Sequence, residues 1–324
     1  MVNTPPEFAN VVPAPAGEVE PHAELLTQPP DGQLLYKVMN VEHLLASISA
    51  SYLHFNRVES YPDLPGYDPH DGFQLPADRG ANAGLRFERN PHFTAANYYD
   101  QSRARTYACS FALECTEHLW ATYANGSEHG KIGVVFDFQK LRARLNANWA
   151  PGNAQLLAGD VPIKQIFSIN YGVVDYVDWQ QHRANKEYLA NPIEYTYLKA
   201  RAFADEHELR VSLSALGLGR YAVGPVVMEF PETIQMHFDF KAALADGGIK
   251  EFIVGPNCNI AYLEEELARF NVGTATKSAQ VNRESVASQN HIAAIGISPA
   301  LVHRWARSAA DQEKGGARHV KSTR

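Results

Sequence analysis

One eight-residue stretch restricts the fold more than any other. In Glu206-His207-Glu208-Leu209-Arg210-Val211-Ser212-Leu213, an extended chain puts Leu209, Val211 and Leu213 on one face and Glu206, Glu208, Arg210 and Ser212 on the other. A strand of a parallel sheet is covered on both faces and reads as a near-continuous apolar run, so this pattern argues for an antiparallel setting with one covered face. Same-face residues stand roughly 6.5–7 Å apart along a strand. Two carboxylates at that spacing repel when poorly solvated, which raises the apparent pKa of the pair, and Arg210 at the end of the row offsets the repulsion. Two readings fit: a charged face in water, or a face lining a cleft, where the carboxylates stabilise a developing cation or activate a nucleophile.

The rest of the pattern agrees with an α+β class. Strands are expected at 34–39, 52–58, 106–111, 131–138, 164–176, 206–215, 221–230, 233–239 and 249–254. Asn40, Thr116 and Asn259 are placed to cap helices over 41–51, 117–124 and 260–270, and Pro192 suits the first turn of a helix running to about Ala202. A further helix, containing Leu141 and Leu145, follows the strand at 131–138. Residues 59–89, rich in Pro, Gly and Asp, read as a long loop of the kind that forms a lid or binding loop. Strands and helices do not alternate strictly, which favours mixed, largely antiparallel sheets with flanking helices over a doubly wound sheet.

Charge and punctuation divide the 324 residues into three parts. Residues 1–32 hold five acids, no Lys or Arg, and Pro5, Pro6, Pro13, Pro15, Pro21, Pro29 and Pro30, so they read as an extended, mobile lead-in. Residues 33–270 form the main domain. Residues 271–324 form an extension whose last 22 residues carry six bases against two acids, on a chain of net charge -7. Within it, Gly296-Ile297-Ser298-Pro299-Ala300-Leu301-Val302-His303-Arg304-Trp305 resembles the turn and second helix of a helix-turn-helix, with a basic tail suited to phosphates; a capped terminal helix with a solvated basic end is the simpler reading, since the first helix would be short and no third helix is evident.

Several sites are excluded by motif. There is no G-x-S-x-G elbow, no P-loop, no H-E-x-x-H and no strand followed by G-x-G-x-x-G; Gly217-x-Gly219 reads as a turn. Asp205-Glu206-His207-Glu208 holds metal-ligand types, but neighbours on a strand point to opposite faces and cannot converge on one ion, so no metal is expected. Cys109, Cys115 and Cys258 fit neither a disulfide framework nor a zinc knuckle. With no apolar run long enough to span a bilayer and no secretory start, a reducing, cytoplasmic setting is expected.

Two further clusters carry polar or aromatic groups. Trp120 and Tyr123 stand three apart on the expected helix and share a face, either as core packing or as a stacking wall for a planar ring. Lys37 interrupts an apolar strand, where an ammonium commonly reaches solvent over its own methylenes.

Taken in order, the blocks Leu35-Tyr36-Lys37, Leu53-His54-Phe55, Cys109-Ser110-Phe111, 119–123, 130–137, Val174-Asp175-Tyr176, Lys199, 203–210 and 249–255 resemble the bacterial domain-of-unknown-function 2971 family over about residues 33–270. Where that family places Asn-Asp-Pro-Phe after its second strand, this chain has an expanded stretch ending in Asp68-Pro69-His70-Asp71-Gly72-Phe73, and Phe203 replaces the family's tryptophan. The layout is also similar to mono-ADP-ribosyltransferases of the DNA-modifying toxin type. That resemblance implies a split sheet and an enzyme using NAD as substrate, in bacterial phage defence or toxin action. By position it implies Tyr36 and Lys37 beside the dinucleotide, Ser110, Trp120 and Tyr123 about the nicotinamide, Glu208 as the catalytic carboxylate, Glu206 as its accessory acid and Arg210 beside them. Lys37 stands where the transferases use His or Arg, and an ammonium does not reproduce a planar bidentate contact. Two other functions stay open: a nucleic-acid-binding module acting through residues 288–324, and a ligand sensor using the same pocket without turnover.

Overall fold

The computed structural model describes residues 19–63, 68–87, 90–148, 156–158, 161–162, 167–184, 192–215, 220–223, 226–229 and 231–272. The helix-turn-helix-like segment, the basic tail, the Gly217-x-Gly219 turn and the first part of the acidic lead-in lie outside the described residues.

The chain opens with β1 (Leu34–Asn40), α1 (Val41–Ala50) and β2 (Tyr52–Arg57). After a 3-10 turn over Val58–Asp63 come α2 (Pro76–Gly84), β3 (Arg86–Phe87), β4 (Asn90–Thr94) and α3 (Ala95–Ser102). The centre is β5 (Thr106–Ala112), α4 (Glu117–Thr122), β6 (Lys131–Asp137) and α5 (Phe138–Ala147). Then follow β7 (Leu156–Ala158), β8 (Val161–Pro162), β9 (Phe167–Val173), β10 (Asp175–Val177), α6 (Ile193–Thr196) and β11 (Leu198–Ala200). A 3-10 turn over Arg201–Glu206 leads into β12 (Glu208–Ala215), and the hairpin β13 (Arg220–Val223) and β14 (Val226–Glu229) precedes β15 (Thr233–His237), α7 (Phe240–Ala245), β16 (Ile249–Val254) and α8 (Ile260–Arg269).

Ten strands form one sheet with antiparallel pairings. Its path runs β16-β6-β1-β5-β2-β15-β7-β8, and β12 and β9 extend from the other edge of β5. The class is therefore α+β with a mainly antiparallel sheet and flanking helices. One face carries the apolar core: Leu35, Phe55, Tyr107, Val134, Phe136, Leu209, Val211 and Leu213 pack with Leu44 and Ile48 of α1, Leu141 and Leu145 of α5 and Leu263 of α8. These are the inward residues that strand alternation and helical spacing select. Thr116 and Asn259 cap α4 and α8 with side-chain oxygens, whereas Asn40 precedes α1 without capping it.

Five expectations are corrected. The 59–89 stretch is no plain loop: it holds a 3-10 turn and α2, because Pro76 at the first turn and an apolar Leu75 anchor permit a helix there. The helix after Pro192 stops after four residues, since Leu198–Ala200 pairs with β10 instead. The strands expected at 164–176 and 221–230 each break into two. Glu206 does not belong to the strand: it ends a 3-10 turn, and His207 takes a left-handed conformation (φ 45°) before β12 begins. Finally, residues 19–32 pack on the domain rather than lead loosely into it. Glu20 accepts hydrogen bonds from Arg142 and Asn146, Leu26 is buried beside Ile193 and Tyr197, and the Thr27 carbonyl accepts from Val173 N–H.

Candidate functional site

The edge of β5 is shared by two strands that diverge from each other. β1 meets it only through Tyr36 opposite Ala112, and β2 only through Asn56 opposite Ala108 and Arg57 opposite Tyr107. Continued in register, both strands would compete for residues 109–111. Instead they part, and side chains satisfy the exposed backbone. The Lys37 ammonium donates to the Ser110 carbonyl at 2.8 Å and lies 5.1 Å from the Phe111 ring centre, while the Tyr61 hydroxyl donates to the Ala108 carbonyl at 3.1 Å. A cavity of about 640 Å³ opens at this fork. It is lined by β1, α1, β2, β5, the end of α4 and the start of β12.

At its charged end five ionisable side chains are buried together. Arg210 is 0% exposed and uses all five N–H donors. Nε and Nη2 grip Glu208 (2.8 and 3.0 Å), Nη1 and Nη2 grip Asp71 (2.7 and 2.9 Å), and Nη1 also donates to the Thr196 carbonyl (2.6 Å). The Lys199 ammonium joins Glu206 (2.5 Å) and Glu208 (3.0 Å), with Asp71 at 3.7 Å. Thus β12 is buried on both faces, and the reading of its charged face as solvated is overturned. Burial of unpaired charge is prohibitively costly, so the cluster survives only because every charge is paired and hydrogen-bonded.

The two glutamates sit in unlike fields. Burial alone would raise the Glu208 carboxyl, but the Arg210 and Lys199 charges outweigh it and hold the group well below the usual carboxylate range. The Ser110 hydroxyl and the Tyr176 hydroxyl, which accepts the Glu208 N–H at 2.9 Å, complete its surroundings. For Glu206, burial pushes the carboxyl up by more than Lys199 draws it down, and the Glu208 charge adds to the rise. One carboxylate is therefore fixed as an anion while its neighbour takes a proton more readily, the separation that lets paired acids play different roles.

Seven of the eight side chains singled out from the sequence line this cavity: Tyr36, Lys37, Ser110, Tyr123, Glu206, Glu208 and Arg210. Trp120 does not. α4 ends at Thr122, so Tyr123 is extended (φ -99°, ψ 160°), and the helical spacing that would align the two rings is lost. Tyr123 turns towards Glu206, to which its hydroxyl donates. The Trp120 ring instead lies over Gly133 and Gly255, where an added Cβ would stand 3.1 Å and 2.2 Å from its atoms. Glu206 joins Glu208 through the left-handed turn at His207 and a shared Lys199, not through strand alternation.

Asp71 and Lys199 were missed as members of the cluster. Lys199 stands in a run of apolar and aromatic residues, Tyr195 to Ala200, where a lone cation is itself a signal of a buried counter-ion. Asp71 lies in a Pro- and Gly-rich stretch that reads as loop, and nothing local marks its partner 139 residues away. On the β2 side of the cavity His54 Nε2 pairs with Asn56 Oδ1 at 3.0 Å, and burial lowers its pKa. Among the described residues no group of three or more His, Cys, Asp or Glu is arranged to hold a metal ion, and no helix is long and apolar enough to cross a membrane.

No protein-family model matches the chain, and no curated protein matches it. The block resemblance to the domain-of-unknown-function 2971 family thus has no matching family model behind it. Two solved structures align, both of DarT from Thermus sp. 2.9, one in complex with carba-NAD+ and the other in complex with ADP-ribosylated ssDNA. Each shares 10% identity at a TM-score of 0.28; the alignments cover 78% and 79% of this chain and 95% and 96% of the other. A superposition that loose carries nothing about activity, which must be argued from the cavity itself.

Proposed function

We propose that this chain is an ADP-ribosyltransferase-like enzyme that takes NAD as donor at the fork of β1 and β2, and that this fork is the split sheet of that fold. The observation that carries the reading is the unequal pair of buried carboxylates, with Glu208 held ionised by Arg210 and Lys199. The cavity volume of about 640 Å³ falls in the ~300–1,000 Å³ range of small-molecule sites.

The chemistry assigns a part to each residue. When the ribose–nicotinamide bond breaks, its electron pair leaves on the nicotinamide nitrogen and the ribose carbon gains cationic character. A preorganised anion at that carbon lowers the barrier, which is the role of Glu208. The incoming nucleophile bonds to the same carbon and gives up a proton; Glu206, the more basic of the two carboxylates, is suited to receive it. Tyr36 and Tyr123 supply aromatic walls for the leaving ring, Ser110 steadies Glu208, and Lys37 offers an ammonium to the donor's anionic part. Trp120 has no part in this scheme.

Glu208→Gln tests it. Transfer of label from NAD, or release of nicotinamide, should fall at least a hundredfold. Because the substitution removes the counter-charge of Lys199 and Arg210, it should also destabilise the fold by about 3 kcal/mol, the order of one hydrogen bond to a charged group. A folded variant with full turnover contradicts the reading. Ligand-dependent melting of the wild type with no product would instead make the cavity a sensor.

A further inference from the structure

The Asp71-Gly72-Phe73 stretch, which stands where the resembled family has its Asn-Asp-Pro-Phe, has no part in the scheme above. Its aspartate nonetheless reaches the centre of the charged cluster. Asp71 is 0% exposed and meets Arg210 through two parallel N–H···O contacts, on the side of the guanidinium away from the Glu208 Nε contact. It also stands 3.7 Å from the Lys199 ammonium. Arg210 is therefore held by carboxylates on two edges, and a planar fork so held can turn towards neither.

The segment is built to deliver that aspartate. Gly72 has φ +72°, and a Cβ there would stand 2.4 Å from Val58 Cγ1, so the turn admits no side chain. The Asp71 backbone carbonyl accepts from Arg103 Nε at 3.2 Å, and the Arg103 guanidinium lies 3.5 Å from the centre of the Phe73 ring. The next aspartate back, Asp68, accepts from the backbone N–H groups of His70 and Ala200, fastening the segment to β11 beside Lys199.

We infer that Asp71 is a positioning residue: through Arg210 it fixes the orientation of the Glu208 carboxylate, and beside Lys199 it competes with Glu206 for that ammonium. The catalytic part of the inference rests on the functional reading above; the electrostatic part does not. Asp71 touches neither glutamate directly, and its effect runs through the two cations they share.

Asp71→Asn keeps the shape and removes the charge. With NAD as the probe, its kcat should fall at least tenfold while the Kd for NAD stays within about threefold. In the substrate-free protein, carboxyl-carbon NMR should show the Glu206 pKa falling, since one anion fewer competes for Lys199. Asp71→Glu restores the charge but displaces it by a methylene. It should return the Glu206 titration to its wild-type position and recover only part of kcat. Wild-type kcat together with an unmoved Glu206 titration in folded Asp71→Asn overturns the inference. If Asp71→Asn does not fold, Asp71→Glu decides: full wild-type kcat in that variant overturns the positioning role, and reduced kcat at unchanged NAD affinity supports it. If the wild type turns over no NAD, the functional reading fails alone, and the Glu206 titration still decides whether Asp71 tunes the pair.

Discussion

At the scale of single residues, the site depends on which charges share a partner. Glu206 and Glu208 are two positions apart and share Lys199; burial is the largest single influence on both, yet it sets the direction at Glu206 and is reversed at Glu208 by Arg210 and Lys199. Their effects on stability run in opposite directions. Glu208 has a folded pKa below its unfolded value, so its contribution is present above about pH 4.5 and is lost as pH falls through the depressed value. Glu206 has a folded pKa above 4.5, so the folded state binds its proton more tightly, and stability drains away as pH rises from about 4.5 through the raised value. Glu206→Gln removes that loss. Its unfolding free energy relative to wild type should rise as pH is raised from about 4.5 towards neutrality, measured by denaturant titration at several pH values. A pH-independent difference would show that Glu206 titrates normally. Glu208 and Arg210 are legible because they alternate on one strand, and Glu206 because it stands two residues before Glu208; Asp71 is hidden because an ion pair across 139 residues leaves no local trace.

At the scale of elements, legibility follows how local the determining interactions are. β1, β6 and β16 read correctly as short runs of strand-forming residues, and α8 from its Asn259 cap and apolar spacing, because each is fixed by residues close in sequence. The stop of α6 at Thr196, the end of α4 at Thr122 and the loss of Glu206 from β12 were illegible, being set by pairing or packing with distant segments. α4 shows the consequence most clearly. Two residues of difference in its end send Tyr123 towards the cavity and leave Trp120 against Gly133 and Gly255. Gly255→Ala would place a Cβ 2.2 Å from the Trp120 ring. It should cost about 1–3 kcal/mol of stability, as overpacking does. Transfer activity of the folded variant should remain within about twofold of wild type. A tenfold loss of activity at unchanged melting temperature would return Trp120 to the ligand's surroundings.

At the scale of the whole molecule, the sheet is covered on both sides where the charged cluster lies. α1, α5, α7 and α8 close the apolar face, while residues 68–75 and 192–206 close the other, so that Arg210 and Ser212 are as buried as Leu209 and Val211. The N-terminal part of the described chain adds a stitch across this assembly, with Glu20 joined to Arg142 and Asn146 on α5. Glu20→Ala should speed protease cleavage within residues 19–32 and leave the cooperative melting of the sheet almost unmoved; unchanged cleavage would mean that Leu26, the Thr27 carbonyl and the other backbone contacts hold the segment without the Glu20 side chain. The general α+β class was legible because it depends on counting strands and helices. The fork of β1 and β2 on β5 does not follow from strand patterning, because two adjacent strands compete for one edge only after the chain has folded.

On this reading the fork holds two carboxyls of unequal acidity in one cavity, and the chemistry proposed at a cationic ribose depends on that difference. The most direct measurement is a carboxyl-carbon NMR titration of Glu206 and Glu208 in the wild-type protein. The account predicts that Glu208 stays ionised to the lowest pH at which the protein remains folded, while Glu206 takes up its proton above pH 4.5. Two glutamates that titrate together near 4.5 would contradict it.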